Sequence, residues 1–256
     1  MNNYLIIPQI EDIDEYLSLS KYYNLGFEFD DFFTPKMLSD DKKCEERIAQ
    51  YKSNVLPDIL TLHGDFFDVL VFSADEEIVA TSIKRIYQSM EAAKKIGAKK
   101  VIFHSNINSA IHADYYLNNW LESNERVFRE VCGKYPDIIV LVENMFDWNS
   151  DPLARLAKRM GDVSNFGICL DYAHAFLSKE NVNDWCQKLS PYIKHVHIND
   201  NDGIRDLHLP VGAGKIDWNE FGKNKELYFD DSSILIEVNG LENIKKSIEF
   251  VQILSV

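Results

Sequence analysis

Short apolar runs recur along the chain, and the stretches between them carry helical periodicity. Residues 4–8 (YLIIP), 25–29 (LGFEF), 59–63 (ILTLH), 100–104 (KVIFH), 138–143 (IIVLVE), 166–171 (FGICLD), 193–197 (IKHVH) and 234–237 (ILIE) have the length and the β-branched and aromatic content of buried strands. Helices are predicted between them. Residues 73–97 open with a capping box of Ser73 and Glu76, carry Ile78, Ile83, Ile86, Met90 and Ala93 near one face, and stop at Gly97. Residues 115–132 end ahead of Gly133 and Pro136, and residues 241–254 place Leu241, Ile244, Ile248 and Val251 on one stripe. Residues 11–24, 45–53 and 152–160 are weaker helical segments, and the pieces after Asp171 and Gly214 are short and irregular.

Eight strands in 256 residues is one per 32, the size of a βα unit. Strands buried on both faces and separated by helices imply a parallel sheet, and eight units are the number that closes into a barrel. An open doubly wound sheet competes, but no glycine-rich turn follows the first strand. The expected fold is α/β, a (β/α)8 TIM barrel, with residues 1–256 as one domain because no linker interrupts the alternation.

Composition narrows the partners. With 46% hydrophobic residues the chain can bury a large core. Its net charge of −14, from 41 acidic and 27 basic residues, repels polyanions and disfavours nonspecific nucleic-acid binding. No signal-like or membrane-length apolar segment is present, so the expectation is a cytoplasmic protein without a membrane partner. Cys44, Cys132, Cys169 and Cys186 are far apart and read as reduced thiols.

The strand ends change the picture most. In a barrel of this kind the active site lies at the C-terminal ends of the strands. From the third strand to the eighth, those ends are His63, His104, Glu143, Asp171, His197 and Glu237. Asp, Glu and His together make up about a fifth of ordinary residues, so six in succession exceed what composition supplies. Singly, each has a structural explanation: a histidine satisfied by hydrogen bonds, or Asp171 capping the helix after it. Collectively they aim three carboxylates at one pocket, an unfavourable burial that a divalent cation relieves.

Nearby residues extend the set. Asp171 and His174 share a helical turn, and Asp206 and His208 point the same way in an extended loop. These belong to, or face, the stretch from 193 to 218, IKHVHINDNDGIRDLHLPVGAGKIDW, which holds three of the seven histidines. Glu143, Asp171, His197 and Glu237 form a carboxylate-rich first site, with His63, His104, His174, Asp206 and His208 left for further ions or for substrate. Such ligands suit Mn²⁺ or Zn²⁺, with Mg²⁺ and Co²⁺ as alternatives. No organic cofactor is expected. His195 lies one layer deeper, in the barrel interior. Gly212 and Gly214 read as a tight turn, Arg205 as either a substrate contact or a loop charge, and His112 as surface. Phe66, Phe67 and Trp148 are placed to wall the pocket.

The segments ENM at 143–145, CLDYAHAF at 169–176, HVHINDNDGIRDLHLPVGAGKIDW at 195–218 and IEV at 236–238 resemble the xylose-isomerase-like TIM barrels. That superfamily includes sugar isomerases and epimerases and the endonuclease IV type of abasic-site nuclease. The resemblance implies Glu143, Asp171, His197 and Glu237 as the main metal ligands. In the epimerase branch it implies Glu143 and Glu237 as catalytic acid/base groups, with His174 and Arg205 on substrate hydroxyls and His63 and His104 at the substrate. The chemistry would be metal-polarised deprotonation beside a carbonyl, through an enediolate. In the nuclease branch nine residues bind three zinc ions, and His63, His104, Glu143, Asp171, His174, His197, Asp206, His208 and Glu237 all match. The acidic charge, the absence of a basic cluster near the strand-end loops and the segment GDFFDV after His63 favour the sugar branch. The expected activity is therefore a divalent-metal-dependent isomerase or epimerase acting on a small carbohydrate, a sugar, sugar phosphate or polyol ketone. The alternative is a zinc-dependent abasic-site phosphodiesterase. A homo-oligomer stays open.

Overall fold

The computed structural model describes residues 3–67 and 69–254. All eight expected strands form. They are β1 (Tyr4–Ile6), β2 (Gly26–Phe29), β3 (Leu60–His63), β4 (Lys100–His104), β5 (Ile139–Glu143), β6 (Phe166–Asp171), β7 (Ile193–Ile198) and β8 (Ser233–Ile236). Each pairs in parallel with the next, and β8 returns to β1 through Tyr4↔Ile234 and Ile6↔Ile236, closing the barrel. Around it run α1 (Ile13–Tyr23), α2 (Pro35–Leu38), α3 (Asp41–Lys52), α4 (Glu76–Ile96), α5 (Asp114–Lys134), α6 (Asp151–Arg159), α7 (Tyr172–Leu177), α8 (Val182–Leu189), α9 (Trp218–Asn224) and α10 (Leu241–Leu254). This is a TIM barrel. Among the described residues no helix is long and apolar enough to cross a membrane.

Strand alternation splits the core into two layers. Outward residues such as Phe27, Val101, Phe103, Val140, Val142, Leu170 and Val196 join the helix faces, including Ile86, Met90, Trp120 and Phe128, in one continuous apolar cluster. Inside the barrel only a small separate cluster forms, from Ile102, Leu141 and Cys169. Leu5 and Leu235 also face inward, and the inner layer further holds the polar residues Glu28, Thr61, His195 and Ser233, all buried.

Helix ends depart from expectation where a better cap lies nearby. α4 is capped by Asp75, which accepts from the Glu77 amide at 2.8 Å, while Ser73 accepts from the Asp75 amide and shapes the approach. A carboxylate at that position also complements the helix dipole, which a serine does not. α5 continues through Gly133 to Lys134, whose ammonium lies 4.1 Å from the centre of the Tyr87 ring, and stops before Pro136. α3 starts at Asp41 rather than Glu45, because Asp40 caps it through the Lys43 amide.

Two glycines separate packing from propensity. A Cβ on Gly26 would sit 2.5 Å from the Ile59 carbonyl oxygen, whereas one on Gly133 would meet nothing within 4 Å. Gly26→Ala is expected to destabilise the protein by about 1–3 kcal/mol by forcing β2 from the strand beside it. Gly133→Ala is expected to stabilise it by about 0.5–1 kcal/mol through helix propensity. Paired chemical denaturation checks both, and equal effects would refute the packing account.

Candidate metal centre

Six consecutive strands deliver a residue at or beside their last position to one end of the barrel. His63, His104, Glu143 and Asp171 close β3 to β6, His197 is the penultimate residue of β7, and Glu237 follows β8. All but Glu237 have nearly inaccessible side chains, and Glu237 is 14% exposed.

Glu143 is the hub. Its Oε2 lies 3.3 Å from His197 Nδ1, 3.6 Å from His63 Nε2 and 3.8 Å from His104 Nε2. Four groupings of ligand-type atoms lie within 4.8 Å among the described residues: Cys169 with His195 and His197, deeper in the barrel, and three at its open end, first His63 with His104 and Glu143; second Glu143 with Asp171 and His197; and third His174 with Asp206 and His208. Glu237 joins the middle one, its Oε2 3.6 Å from His197 Nδ1. In the third grouping Asp206 Oδ2 lies 3.2 Å from both His174 Nε2 and His208 Nε2.

The donor set fits divalent cations on a structural test. His63 Nε2, His104 Nδ1, both ring nitrogens of His197, Glu143 Oε2, Asp171 Oδ2, Asp206 Oδ1 and Glu237 Oε2 are buried and make no hydrogen bond. Buried polar atoms are nearly always satisfied, so such a concentration suits atoms kept for a ligand. Asp171 divides its carboxylate accordingly. Oδ1 caps α7 through the His174 amide at 2.6 Å, leaving Oδ2 turned to the cluster. Capping a helix and facing the cluster are thus compatible tasks for one side chain.

Protonation follows the same crowding. Burial raises the Asp171 carboxyl to about 7, with Glu237 and Glu143 adding repulsion that His174 only partly offsets. Burial alone would lower His174, but Asp171, Asp206 and Glu143 lift it to about 10. His208 also reaches about 10, burial being outweighed by Asp206 and Glu237. Burial wins at His104, which falls to about 3 despite Glu143. Without a cation, then, His174, His197 and His208 keep their protons beside the carboxylates while His104 is neutral.

The loop from Asn199 to Asp217 is built around Asp200. This buried carboxylate accepts from the amides of Asn201, Gly212 and Ile216 and from Trp218 Nε1, at 2.9–3.2 Å. Its backbone pairs antiparallel with Leu209. Gly212 has φ +86°, and a Cβ on Gly214 would lie 2.3 Å from Asp200 Oδ1, so both glycines serve close approach. His208 is held at φ +46°, a region rare for non-glycine residues, with Nδ1 3.0 Å from the Glu237 carbonyl and Nε2 toward Asp206.

Some residues fall outside the cluster. Arg205 is 70% exposed and forks onto Asp202 Oδ2 at 2.7 and 3.0 Å. His112 is exposed against Trp148, ring centres 4.5 Å apart, and Phe67 is exposed. Phe66 packs on His104 at 4.2 Å and on His63 at 5.3 Å, forming wall. Phe146 faces His174 at 5.5 Å. Glu28 was not among the expected residues, yet it is buried in β2 with Oε1 3.1 Å from His197 Nε2 and Oε2 3.0 Å from His195 Nε2. Its signal was a lone acid in the apolar run LGFEF.

The xylose isomerase-like TIM barrel model matches residues 21–254. The chain belongs to that family. A Methanocaldococcus jannaschii protein, MJ1614, is 30% identical over 179 residues, 64% of each chain. The chain thus spans about two thirds of that relative's length. The probable endonuclease 4 of Aquifex aeolicus is 26% identical over 229 residues, 79% of this chain and 78% of its own length. Among solved structures, the TTHB071 protein of Thermus thermophilus, soaked with ZnCl2, superposes with TM-score 0.78 and 22% identity over 100% of this chain and 98% of that one. A D-tagatose 3-epimerase-like protein gives 0.76 and 22% over 99% and 97%. Endonuclease IV from Thermus thermophilus gives 0.67 and 17% over 99% and 98%. The family's enzymes thus span both chemistries, and these structural likenesses establish the fold alone.

Asp200 offers a test of how the third grouping is positioned. Asp200→Asn keeps the shape but sets an amide N–H₂ against donors, and is expected to cost about 2–4 kcal/mol. Thermal unfolding measures the loss, and a loss below about 1 kcal/mol would refute the hub role.

Proposed function

We propose that this protein hydrolyses phosphodiesters at a centre of up to three divalent cations, with zinc as the best-suited ion. The carrying observation is the grouping of His174, Asp206 and His208. Its three ligand atoms converge, His208 takes a strained backbone conformation to reach it, and both histidines have their Nδ1 engaged by a backbone carbonyl, at Asn144 and Glu237. That orients Nε2 of each toward Asp206, as a hydrogen bond at the far ring nitrogen orients metal-ligating histidines. Sequence favoured the sugar branch on the acidic charge, the lack of a basic cluster and the segment GDFFDV, and left open whether Asp206 and His208 hold a metal; the convergence of their atoms supports a ligand role. The names of the curated relatives agree with that direction.

In this reading His63, His104 and Glu143 hold one cation, Glu143, Asp171, His197 and Glu237 a second, and His174, Asp206 and His208 a third. Cations so placed would polarise phosphoryl oxygens and make water a stronger nucleophile. Glu143 links the first two sites, so one carboxylate sets their separation. Phe66 shields His63 and His104 from water. Asp171, rigid through its bond to the His174 amide, ties the second site to the third.

A second reading, metal-dependent isomerisation or epimerisation of a small carbohydrate, is favoured by the net charge of −14. Glu143 and Glu237 both flank His197 and would be its acid/base pair.

Purified protein is expected to bind zinc and to cleave an abasic-site duplex, with activity abolished by chelation and restored by Zn²⁺. Glu143→Gln is expected to lower kcat/KM by about 100-fold or more, since losing a shared ligand exceeds the loss of an outer-shell partner. Ketose interconversion without strand cleavage would overturn the proposal in favour of the sugar reading.

A further inference from the structure

The barrel interior holds a line of polar groups leading away from the metal centre toward the opposite end of the barrel. Lys100, at the start of β4, donates from Nζ to Ser233 Oγ at 2.6 Å and to the Lys194 carbonyl at 2.6 Å. Ser233 Oγ lies 2.6 Å from His195 Nδ1. His195 Nε2 lies 3.0 Å from Glu28 Oε2, which also accepts from Thr61 Oγ1 at 2.5 Å. The other oxygen of Glu28 is 3.1 Å from His197 Nε2, and His197 Nδ1 faces Glu143 and Glu237. TIM-barrel interiors are ordinarily filled by branched apolar side chains, and buried ionic groups bring little net stability. A line of this kind therefore calls for another explanation.

Proton directions along it follow from donor chemistry. A lysine ammonium only donates, so Ser233 Oγ accepts from Lys100 and sends its own hydrogen to His195 Nδ1. With Nδ1 accepting, His195 presents Nε2–H to Glu28. The other carboxylate oxygen stands 3.1 Å from His197 Nε2, off the line of a hydrogen bond, and its negative charge favours the proton of His197 on that nitrogen. The nitrogen of His197 left without a proton is then Nδ1, the atom turned toward the cluster.

We propose that Lys100, Ser233 and Glu28 are positioning residues that hold His197 in its Nε2–H form, so that Nδ1 is the nitrogen that binds metal. The proposal rests on the metal reading above, but on neither choice of substrate. It makes the end of the barrel remote from the site a determinant of metal affinity.

Competition of the whole protein with a chromophoric chelator for Zn²⁺ measures the affinity, and ¹⁵N NMR of the zinc-loaded protein reports the histidine ring protons. Lys100→Met, Ser233→Ala and Glu28→Gln are expected to weaken the tightest zinc binding by about 10- to 100-fold. The same variants should lose the protected Nε2–H signal of His197. Ser233→Thr, which keeps the hydroxyl, should retain both. If Lys100→Met and Ser233→Ala fold, bind zinc like the wild type and differ only in a lower Tm, the line is merely structural and the proposal is overturned. A wild-type protein that binds no zinc would instead overturn the metal reading itself.

Discussion

The constraint on which this structure depends is electrostatic: Glu28, Glu143 and Asp171 are buried inside one barrel, and the groups that face them are imidazoles. A fixed cation in their place would neutralise the carboxylates permanently. Histidine does so conditionally, because it can surrender its proton and become a ligand. Burial alone would raise Glu143, yet His197, His104 and His63 hold it well below the usual carboxylate range. Protons on His174, His197 and His208 thus offset part of the carboxylate charge, and a bound cation would exchange those protons for its own charge. Closure of the sheet brings these groups together, since residues as distant as Glu28 and His197 have no other means of meeting.

The barrel interior divides along the same line. Ile102, Leu141 and Cys169, on β4 to β6, with Leu5 on β1 and Leu235 on β8, form its apolar part. Glu28, Thr61, His195 and Ser233, on β2, β3, β7 and β8, form the polar part. Stability consequently comes from the outer layer, where inward helix faces cover strand residues such as Phe103 and Val142 in a continuous cluster. That separation lets the inner layer carry groups that a single-core protein would exclude.

Much of this was readable from sequence because the strand period and the ligand positions coincide. Six apolar runs ended in a ligand residue, and one geometric rule, that sites lie at strand C-termini, located His63, His104, Glu143, Asp171, His197 and Glu237. The rule covers only ends, so it passed over Glu28, one residue inside β2 and facing inward by parity. The helix start at Asp75 was missed for a related reason: two capping patterns overlapped, and only the three-dimensional reach of the carboxylate separates them. The loop after β7 was harder still. Its four aspartates look alike in sequence, but Asp200 is wholly buried and anchors the loop, Asp202 holds Arg205, Asp206 bridges two histidines and Asp217 caps α9. Nothing in local pattern distinguishes those four tasks.

The same loop shapes the choice between chemistries. A sugar hydroxyl needs a donor or acceptor at hydrogen-bond distance, and a freely rotating histidine can supply either. His174 and His208 are not free: each is pinned at Nδ1 by a backbone carbonyl, and His208 carries the added cost of a left-handed backbone. Such strain persists only where the surroundings over-determine it, and here the antiparallel pairing of Leu209 with Asp200 and the contact of His208 Nδ1 with the Glu237 carbonyl flank the strained residue. A site that needed one adaptable contact would gain little from this rigidity. Two imidazoles and a carboxylate fixed around one point have the precision that coordination demands, which argues for a cation in that position.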